Sequence, residues 1–143
     1  MLELTEEMQQ AINNSLADQH PVIFASTGPD GQPRLGFCGS IHVHSKDQLS
    51  IWLRKADSYS ASNIQTNPHL AFLYRNPEAR QTWQFQGRAR IVDEPQLRQR
   101  VYDDAPEVER NFDQEMQGHA VIIDLDRVIE RGQAIMEREP ANA

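Results

Sequence analysis

The chain has 143 residues, a length that predicts a single domain, because a core of this size can bury roughly two-thirds of the surface that the unfolded chain exposes. Its 14 lysines and arginines against 21 aspartates and glutamates give a formal charge of −7. An acidic surface repels phosphate backbones and anionic lipids, which argues against non-specific binding of nucleic acids or membranes. We therefore expect neither nucleic acid nor membrane among its partners.

No apolar run approaches the roughly 20 residues that span a bilayer. The first ten residues hold three glutamates and no basic segment, unlike a secretory signal. Cys38 is the single cysteine, so neither an intrachain disulfide nor a cysteine-based zinc site can form within one chain. These features predict a cytoplasmic protein without a metal centre.

The first half of the chain predicts a helix followed by three strands. Apolar residues recur every four positions from Leu4 to Leu16, which indicates an amphipathic helix over 5–18. A short strand begins at Val22 and leads into the Gly- and Pro-rich turn at 28–33. We predict a second strand over 35–44, with Leu35, Phe37, Ile41 and Val43 on one face, and a third over 49–54.

The second half predicts a short helix, three more strands and a helical insertion. The helix covers 57–66 and ends at Asn67-Pro68, and the strands cover 70–74, 83–91 and 119–128. Gly87 lies in the middle of the long fifth strand and predicts a bulge or a close backbone approach. Helical spacing predicts the insertion over 94–116, and we expect a frayed tail over 137–143.

The order of these elements predicts a mainly β (α+β) protein. Six antiparallel strands with peripheral helices are typical of a closed or nearly closed barrel, which we assign to 20–93 together with the last strand. One domain then spans 1–143.

Two cations precede the short helix and indicate an anion site. Arg54 and Lys55 end the third strand, and Ser58 and Ser60 lie at the helix start, where unpaired backbone N–H groups and the helix dipole favour negative charge. The alternative is that Ser58 caps the helix while Arg54 and Lys55 are simply solvated.

Small residues on the second strand indicate a place for a flat ring. Gly36, Cys38 and Ser40 alternate along one face, and a ring can lie on a strand only where side chains are small. The alternative is that a helix packs on this face. His42 and His44 continue the same face, but no carboxylate or cysteine at matching spacing supports a metal site.

Polar residues alternate along the fifth strand. Thr82, Gln84 and Gln86 offer both donors and acceptors, which suits the edge of a heterocycle. The alternative is the ordinary wet face of an antiparallel sheet, and without further support that alternative is preferred.

The chain resembles the pyridoxamine 5′-phosphate oxidase-like family of FMN-binding split barrels. The resemblance depends on the order and spacing of four segments. They are the opening hairpin at 24–34 with Asp30-Gly31 and Pro33-Arg34, the helix at 58–68 with Ser58, Asn63-Ile64 and Asn67-Pro68, the apolar strand at 70–73, and the strand at 84–92 with Gly87-Arg88-Ala89.

The resemblance implies a six-stranded antiparallel split β-barrel and a homodimer with FMN between the subunits. It implies phosphate near the short helix and the ring against the second strand. The cofactor-binding residues expected on this basis, together with the observations above, are Arg34, Gly36, Phe37, Cys38, Trp52, Arg54, Lys55, Ser58, Tyr59, Ser60, Asn63, Thr82 and Gln84.

Three departures from the family pattern affect these expectations. Tyr59 and Ser60 stand where the family has a phosphate-binding arginine and lysine, and Arg54 and Lys55 are the candidates to replace them. Thr82 stands where the oxidases use a glutamine at the ring, with Gln81 one place away. A C-terminal segment that binds the vitamin substrate is not recognisable in 130–143.

The sequence as a whole predicts an FMN-dependent oxidoreductase that acts on a small molecule. Phe37 and Cys38 would border the ring, and Thr82 or Gln84 would tune its edge. The alternative is a non-catalytic protein with the same barrel that binds or senses a flavin, a deazaflavin or haem, with His42 or His44 as haem ligand.

Overall fold

A computed structural model describes residues 1–55 and 58–140 of the chain. The architecture is an antiparallel split β-barrel with helices at its periphery, as the sequence predicts, but the described residues form eight strands rather than six. The strands are β1 (Val22–Thr27), β2 (Pro33–Cys38), β3 (His42–Ser45), β4 (Gln48–Leu53), β5 (His69–Asn76), β6 (Gln81–Val92), β7 (His119–Glu130) and β8 (Gln133–Glu137), and the helices are α1 (Glu6–Asn13), α2 (Ser58–Thr66), α3 (Pro95–Asp104) and α4 (Glu107–Asn111).

The sheet follows the order β2-β1-β5-β6-β7-β4-β3, and β8 pairs with the far end of β7. The main core lies inside the barrel, where apolar side chains of β1 and β3 to β7 meet those of α1 and α2. Cys38 at the end of β2 joins them, and Met136 of β8 packs against the cluster. None of the described helices has the length and apolar character needed to cross a bilayer.

The prediction for the second strand is wrong in the residue range and in the face that it assigns to some side chains. The chain turns at Gly39 and Ser40, which separates β2 from β3. The Ser40 hydroxyl bridges the backbone of Trp52, accepting from its N–H at 2.9 Å and donating to its carbonyl at 3.1 Å. Because this turn interrupts the alternation, Ile41 is buried whereas Phe37, predicted to share its face, is 74% exposed.

The first helix also differs from the prediction, since α1 ends at Asn13 and not at residue 18. Thr5 caps its start, accepting from the N–H of Met8 at 3.1 Å. At its end Asn13 accepts a hydrogen bond from the N–H of Val43 at 2.8 Å, and the Ser15 hydroxyl donates to the carbonyl of Ile12 at 2.9 Å. Polar side chains that bond to backbone compete with helix continuation.

The C-terminal part contains a strand that the sequence analysis missed. Glu137, assigned to a frayed tail, ends β8, and the next residue, Arg138, donates to the carbonyl of Leu125 at 2.7 Å. The insertion over 94–116 forms two helices, because Pro106 separates α3 from α4. The predicted start of the short helix at residue 57 lies outside the described residues.

The predicted bulge or close backbone approach at Gly87 is confirmed, although the extra residue of the bulge, Asp126, lies on β7. The pairing of β6 with β7 shifts between Gln86 and Gly87, and a Cβ on Gly87 would overlap the carbonyl oxygen of Asp124. Glycine therefore fits a close backbone approach at this position.

The outer surface of the sheet has two parts. The covered face lies under α3, where Trp52, Val92, Ala120 and Ile122 pack with Val101 in a second apolar cluster. The bare face runs across β2, β1, β5, β6 and β7. Its aligned residues are Phe37, Ile23, Leu73, Gln84 and Ile129 in one row, and Leu35, Ala25, Ala71, Gln86 and Arg127 in the next.

Candidate functional site

A cleft of about 590 Å³, counted with its solvent-open part, lies along the edge of β2. Among the described strands only β1 pairs with β2, so the other edge of β2 presents backbone N–H and C=O groups for binding. The cleft gathers seven of the predicted cofactor-binding residues: Arg34, Gly36, Phe37, Cys38, Trp52, Arg54 and Ser60.

Arg34 is the cation that the structure brings to the start of α2. Its Nη1 donates to the hydroxyl of Ser60 at 3.2 Å, and its guanidinium carbon lies 4.7 Å from the centre of the Tyr59 ring. Ser60 and Tyr59 are the residues that replace the family's lysine and arginine. An arginine from β2 therefore lies where two cations of α2 would otherwise be, in addition to Arg54, which the sequence analysis favoured.

Arg54 lines the same cleft, and its guanidinium carbon lies 4.8 Å from the centre of the Phe112 ring. Lys55 is exposed. The side chain of Ser58 lies outside the described residues. The cleft thus combines two guanidinium groups with the Ser60 hydroxyl near a helix start, a set of donors that suits phosphate.

The floor of the cleft suits a flat ring at one point. A Cβ on Gly36 would meet no atom within 4 Å, so the space above this residue is open. Phe37 offers an exposed aromatic ring beside it, whereas Cys38 is buried at 7% exposure with its sulfur 3.9 Å from the Ser40 hydroxyl. Open space over glycine together with a strand edge fits a heterocycle.

Asn63 belongs to α2 and is 1% exposed. Its Nδ2 has no hydrogen-bond partner among the described residues, and its Oδ1 lies beside Gly28 at the tip of the β1–β2 hairpin, as does the Tyr59 hydroxyl. A buried amide without a partner is costly, and a ligand or an ordered water that accepts from it would remove that cost.

Thr82 and Gln84 are not among the residues that line this cleft. Both lie on β6, where Thr82 pairs with Arg75 and Gln84 pairs with Leu73. Gln84 belongs to the bare face, three strands from Phe37, a separation of roughly 14 Å at the usual strand spacing. Within one chain, therefore, β6 does not contribute to the cleft.

Glu109 lines the cleft and was missed by the sequence analysis. It belongs to α4, in a segment whose many acids are typical of a solvated helix. Nothing in its spacing distinguishes Glu109 from Glu107 or Glu115, so only the packing of α4 beside the cleft identifies it.

The two candidate haem ligands lie outside the cleft, on β3, where they contact α3. His42 Nδ1 is 3.8 Å from a carboxylate oxygen of Asp104, and Arg100 donates to the carbonyl of His44 at 2.6 Å. Burial, followed by the charge of Arg100, lowers the pKa of His44. Neither histidine lines the cleft, and among the described residues no three metal-ligating side chains cluster.

The family assignment follows from comparison with known proteins. Residues 4–127 match the family model described as pyridoxamine 5′-phosphate oxidase. The match covers most of the chain, so the protein belongs to this family. No curated protein matches the sequence.

Solved structures share the fold at low sequence identity. HupZ from Group A Streptococcus is 18% identical, with a TM-score of 0.70 over 92% of this chain and 96% of that one. HutZ, a haem storage protein from Vibrio cholerae, is 13% identical, with a TM-score of 0.59 over 85% and 92%. An FMN-binding protein from Syntrophomonas wolfei is 6% identical, with a TM-score of 0.59 over 93% and 89%.

Proposed function

We propose that the cleft along β2 binds FMN and that the protein is an oxidoreductase acting on a small molecule. The observation that carries the proposal is the Arg34–Ser60 pair at the start of α2, next to the open space above Gly36. This arrangement offers charged donors for a phosphate and a flat surface for a ring in one continuous cleft. The family, and the similar fold of an FMN-binding protein, support it.

The residues divide into two groups. Arg34, Arg54 and Ser60 would hold the phosphate, and Phe37 and Cys38 would border the ring. When bound, FMN supplies two-electron redox chemistry, and the protein supplies placement and polarity. Asn63 would stabilise the site through its unpartnered amide, either towards the ligand or through a water.

Removing Arg34 tests the phosphate assignment. Arg34→Ala should weaken FMN binding roughly ten- to hundredfold, because a charge-assisted contact is typically about 1.5 to 3 kcal/mol. Titration by quenching of flavin fluorescence measures it. Riboflavin has the ring without the phosphate and should respond little, and Arg75→Ala, an exposed arginine of β5 outside the cleft, is the matched control. Unchanged FMN affinity, or equal weakening of both flavins, would contradict the assignment.

We further propose that the protein is a homodimer that associates through the bare face. Leu35 and Phe37 are 72% and 74% exposed and Leu73 is 38% exposed, all on one side of the sheet. A continuous exposed apolar surface of this kind is typical of an interface. Because Leu35 and Phe37 also line the cleft, a two-fold partner on this face would lie next to the cofactor.

The dimer would also account for Gln84. In an isologous interface a residue on the far side of the face contacts the near side of the partner. Gln84 is three strands from Phe37 within one chain, so its predicted role at the ring requires that it act on the cleft of the second subunit.

A second candidate function is non-catalytic storage of a flavin, a deazaflavin or haem, which the similar fold of the haem storage protein HutZ favours. Haem titration followed by absorbance tests it. If His42 or His44 were the haem ligand, the double variant His42→Ala/His44→Ala should lose the haem spectrum. Because both residues contact α3 and lie outside the cleft, we expect the double variant to keep that spectrum. Saturable haem binding with no FMN binding would favour this candidate over the first.

A further inference from the structure

The cleft contains one carboxylate among its lining residues, and it comes from α4. The Glu109 side chain lies directly against Gly39 in the turn that follows β2, so closely that a Cβ on Gly39 would overlap Glu109 Oε1. Three residues further along, Phe112 places its ring over Arg54, which also lines the cleft. The segment from Glu109 to Phe112 therefore forms one wall of the cleft.

This wall is held in place by hydrogen bonds outside the cleft. Trp52 Nε1 donates to Asp113 Oδ2 at 2.8 Å, and the Tyr102 hydroxyl donates to the carbonyl of Arg110 at 3.2 Å. Partial burial alone would raise the pKa of Asp113, but hydrogen bonds from Gln117, Trp52 and Gly118 outweigh it and keep the pKa low. Asp113 is thus a charged anchor that fixes α4 beside the cleft.

The carboxylate of Glu109 is available to a ligand. It forms no hydrogen bond or ion pair with any residue that the structure describes, although an ionised carboxylate can accept about four hydrogen bonds. It also places a hydrogen-bond acceptor in a cleft whose other charged lining residues, Arg34 and Arg54, favour an anion.

We propose that Glu109 is a specificity-determining residue that accepts a hydrogen bond from a ring N–H of the bound cofactor. The inference rests on the proposed binding of FMN. The isoalloxazine ring of FMN carries one N–H, the imide at N3, at the end of the ring system remote from the methyl groups. The carboxylate would select ligands with a donor there and reject ligands that present only carbonyl groups, which repel a negative charge.

The experiment combines two protein variants with two ligands. Glu109→Gln keeps the size of the side chain and removes its charge, and Glu107→Gln makes the same change on an exposed residue of the same helix. The ligands are FMN and N3-methyl-FMN, in which the donor is replaced by a methyl group. Dissociation constants are measured by fluorescence quenching on the intact chain.

We expect Glu109→Gln to weaken FMN binding about fivefold, since a charge-assisted hydrogen bond becomes a neutral one. Glu107→Gln should change the dissociation constant of FMN less than about twofold. N3-methyl-FMN has no donor, so Glu109→Gln should leave its affinity unchanged or raise it. The wild-type preference for FMN over N3-methyl-FMN should therefore shrink in Glu109→Gln alone.

Other outcomes overturn the proposal and separate it from the proposed function. If Glu109→Gln raises the affinity for both flavins, the only effect of Glu109 is to repel the phosphate. If both flavins bind the wild type and the preference is the same in all variants, Glu109 does not contact the ring N–H, while FMN binding itself stands. If the wild type binds neither flavin at any workable concentration, the FMN proposal and this one both fail.

Discussion

The covered face and the bare face belong to one sheet but are completed differently. On the covered face, α3 supplies Val101 and Tyr102 to the cluster around Trp52, and Ile122 is 1% exposed. On the bare face, no described helix or strand covers Phe37 and Leu35, which stay more than 70% exposed. The chain provides a cover for one half of its sheet, and the other half has the apolar character that a partner surface would cover.

The largest effect should come from opening the covered face. Trp52 is 4% exposed, packs edge-on against Tyr102 at 5.1 Å and bonds to Asp113, so Trp52→Ala should lower the free energy of unfolding by about 3 to 5 kcal/mol. Urea denaturation measures it. Phe37→Ala, an aromatic deletion on the bare face, should cost under about 0.5 kcal/mol at protein concentrations where the chain is monomeric. Equal losses would remove the distinction between the faces.

The next effect concerns association through the bare face. Leu73→Asp places a charge in the middle of this face and should raise the dissociation constant of the proposed dimer at least about a hundredfold, because an interface core excludes unpaired charge. Val108→Asp is the matched control, since Val108 is also apolar and exposed but lies on α4. Sedimentation velocity distinguishes the variants. A wild type that is monomeric at micromolar concentration would remove the basis for a shared site.

The smallest effect concerns pH, and it belongs to the covered side. The pKa of His44 is lowered by burial first, then by Arg100, Arg90 and His42, with Asp104 opposing them. The unfolded chain therefore takes up this proton first, so the contribution of His44 to stability should be full above about pH 7 and fall as the pH drops below about 6.5. It should level off below the folded-state pKa.

Comparison of pH-dependent unfolding curves isolates the contribution of His44. His44→Gln should flatten the curve between pH 7 and 5, whereas His69→Gln, an exposed histidine on β5, should not change it. If both variants give the wild-type slope, another group carries the pH dependence.

Sequence patterns predicted the fold where one local signal decided the outcome. The helix stop at Asn67-Pro68 and the close backbone approach at Gly87 both agree with the structure. The pattern failed at residues 39 and 40, because the Ser40 bridge to Trp52 joins positions twelve residues apart. Leu35 and Phe37, which the alternation placed on one face with Ile41 and Val43, are exposed instead, since apolar alternation cannot tell a buried face from an exposed one.

The candidate site was predictable in its main elements, including Arg34 and Arg54, but not in the contact that joins Arg34 to α2. The motif around α2 indicated an anion site, but the missing lysine and arginine directed attention to Arg54 and Lys55. Arg34 reaches Ser60 across 26 positions of the chain, and Glu109 reaches Gly39 across a separate helical segment. Contacts of this range depend on how the barrel closes, which single-sequence patterns do not specify.

The bulge opposite Gly87 also changes which side chains of β7 face the interior of the barrel. Towards its start, Val121, Ile123 and Leu125 point into the barrel, but after Asp126, which has no partner on β6, the inward residue is Val128. Because of this one extra residue, odd-numbered residues of β7 point into the barrel before Asp126, and the even-numbered Val128 does so after it. A single strand can then present Ile122 to its own helix and Ile129 to the bare face, although a strictly alternating strand with the same spacing would place these two residues on opposite sides.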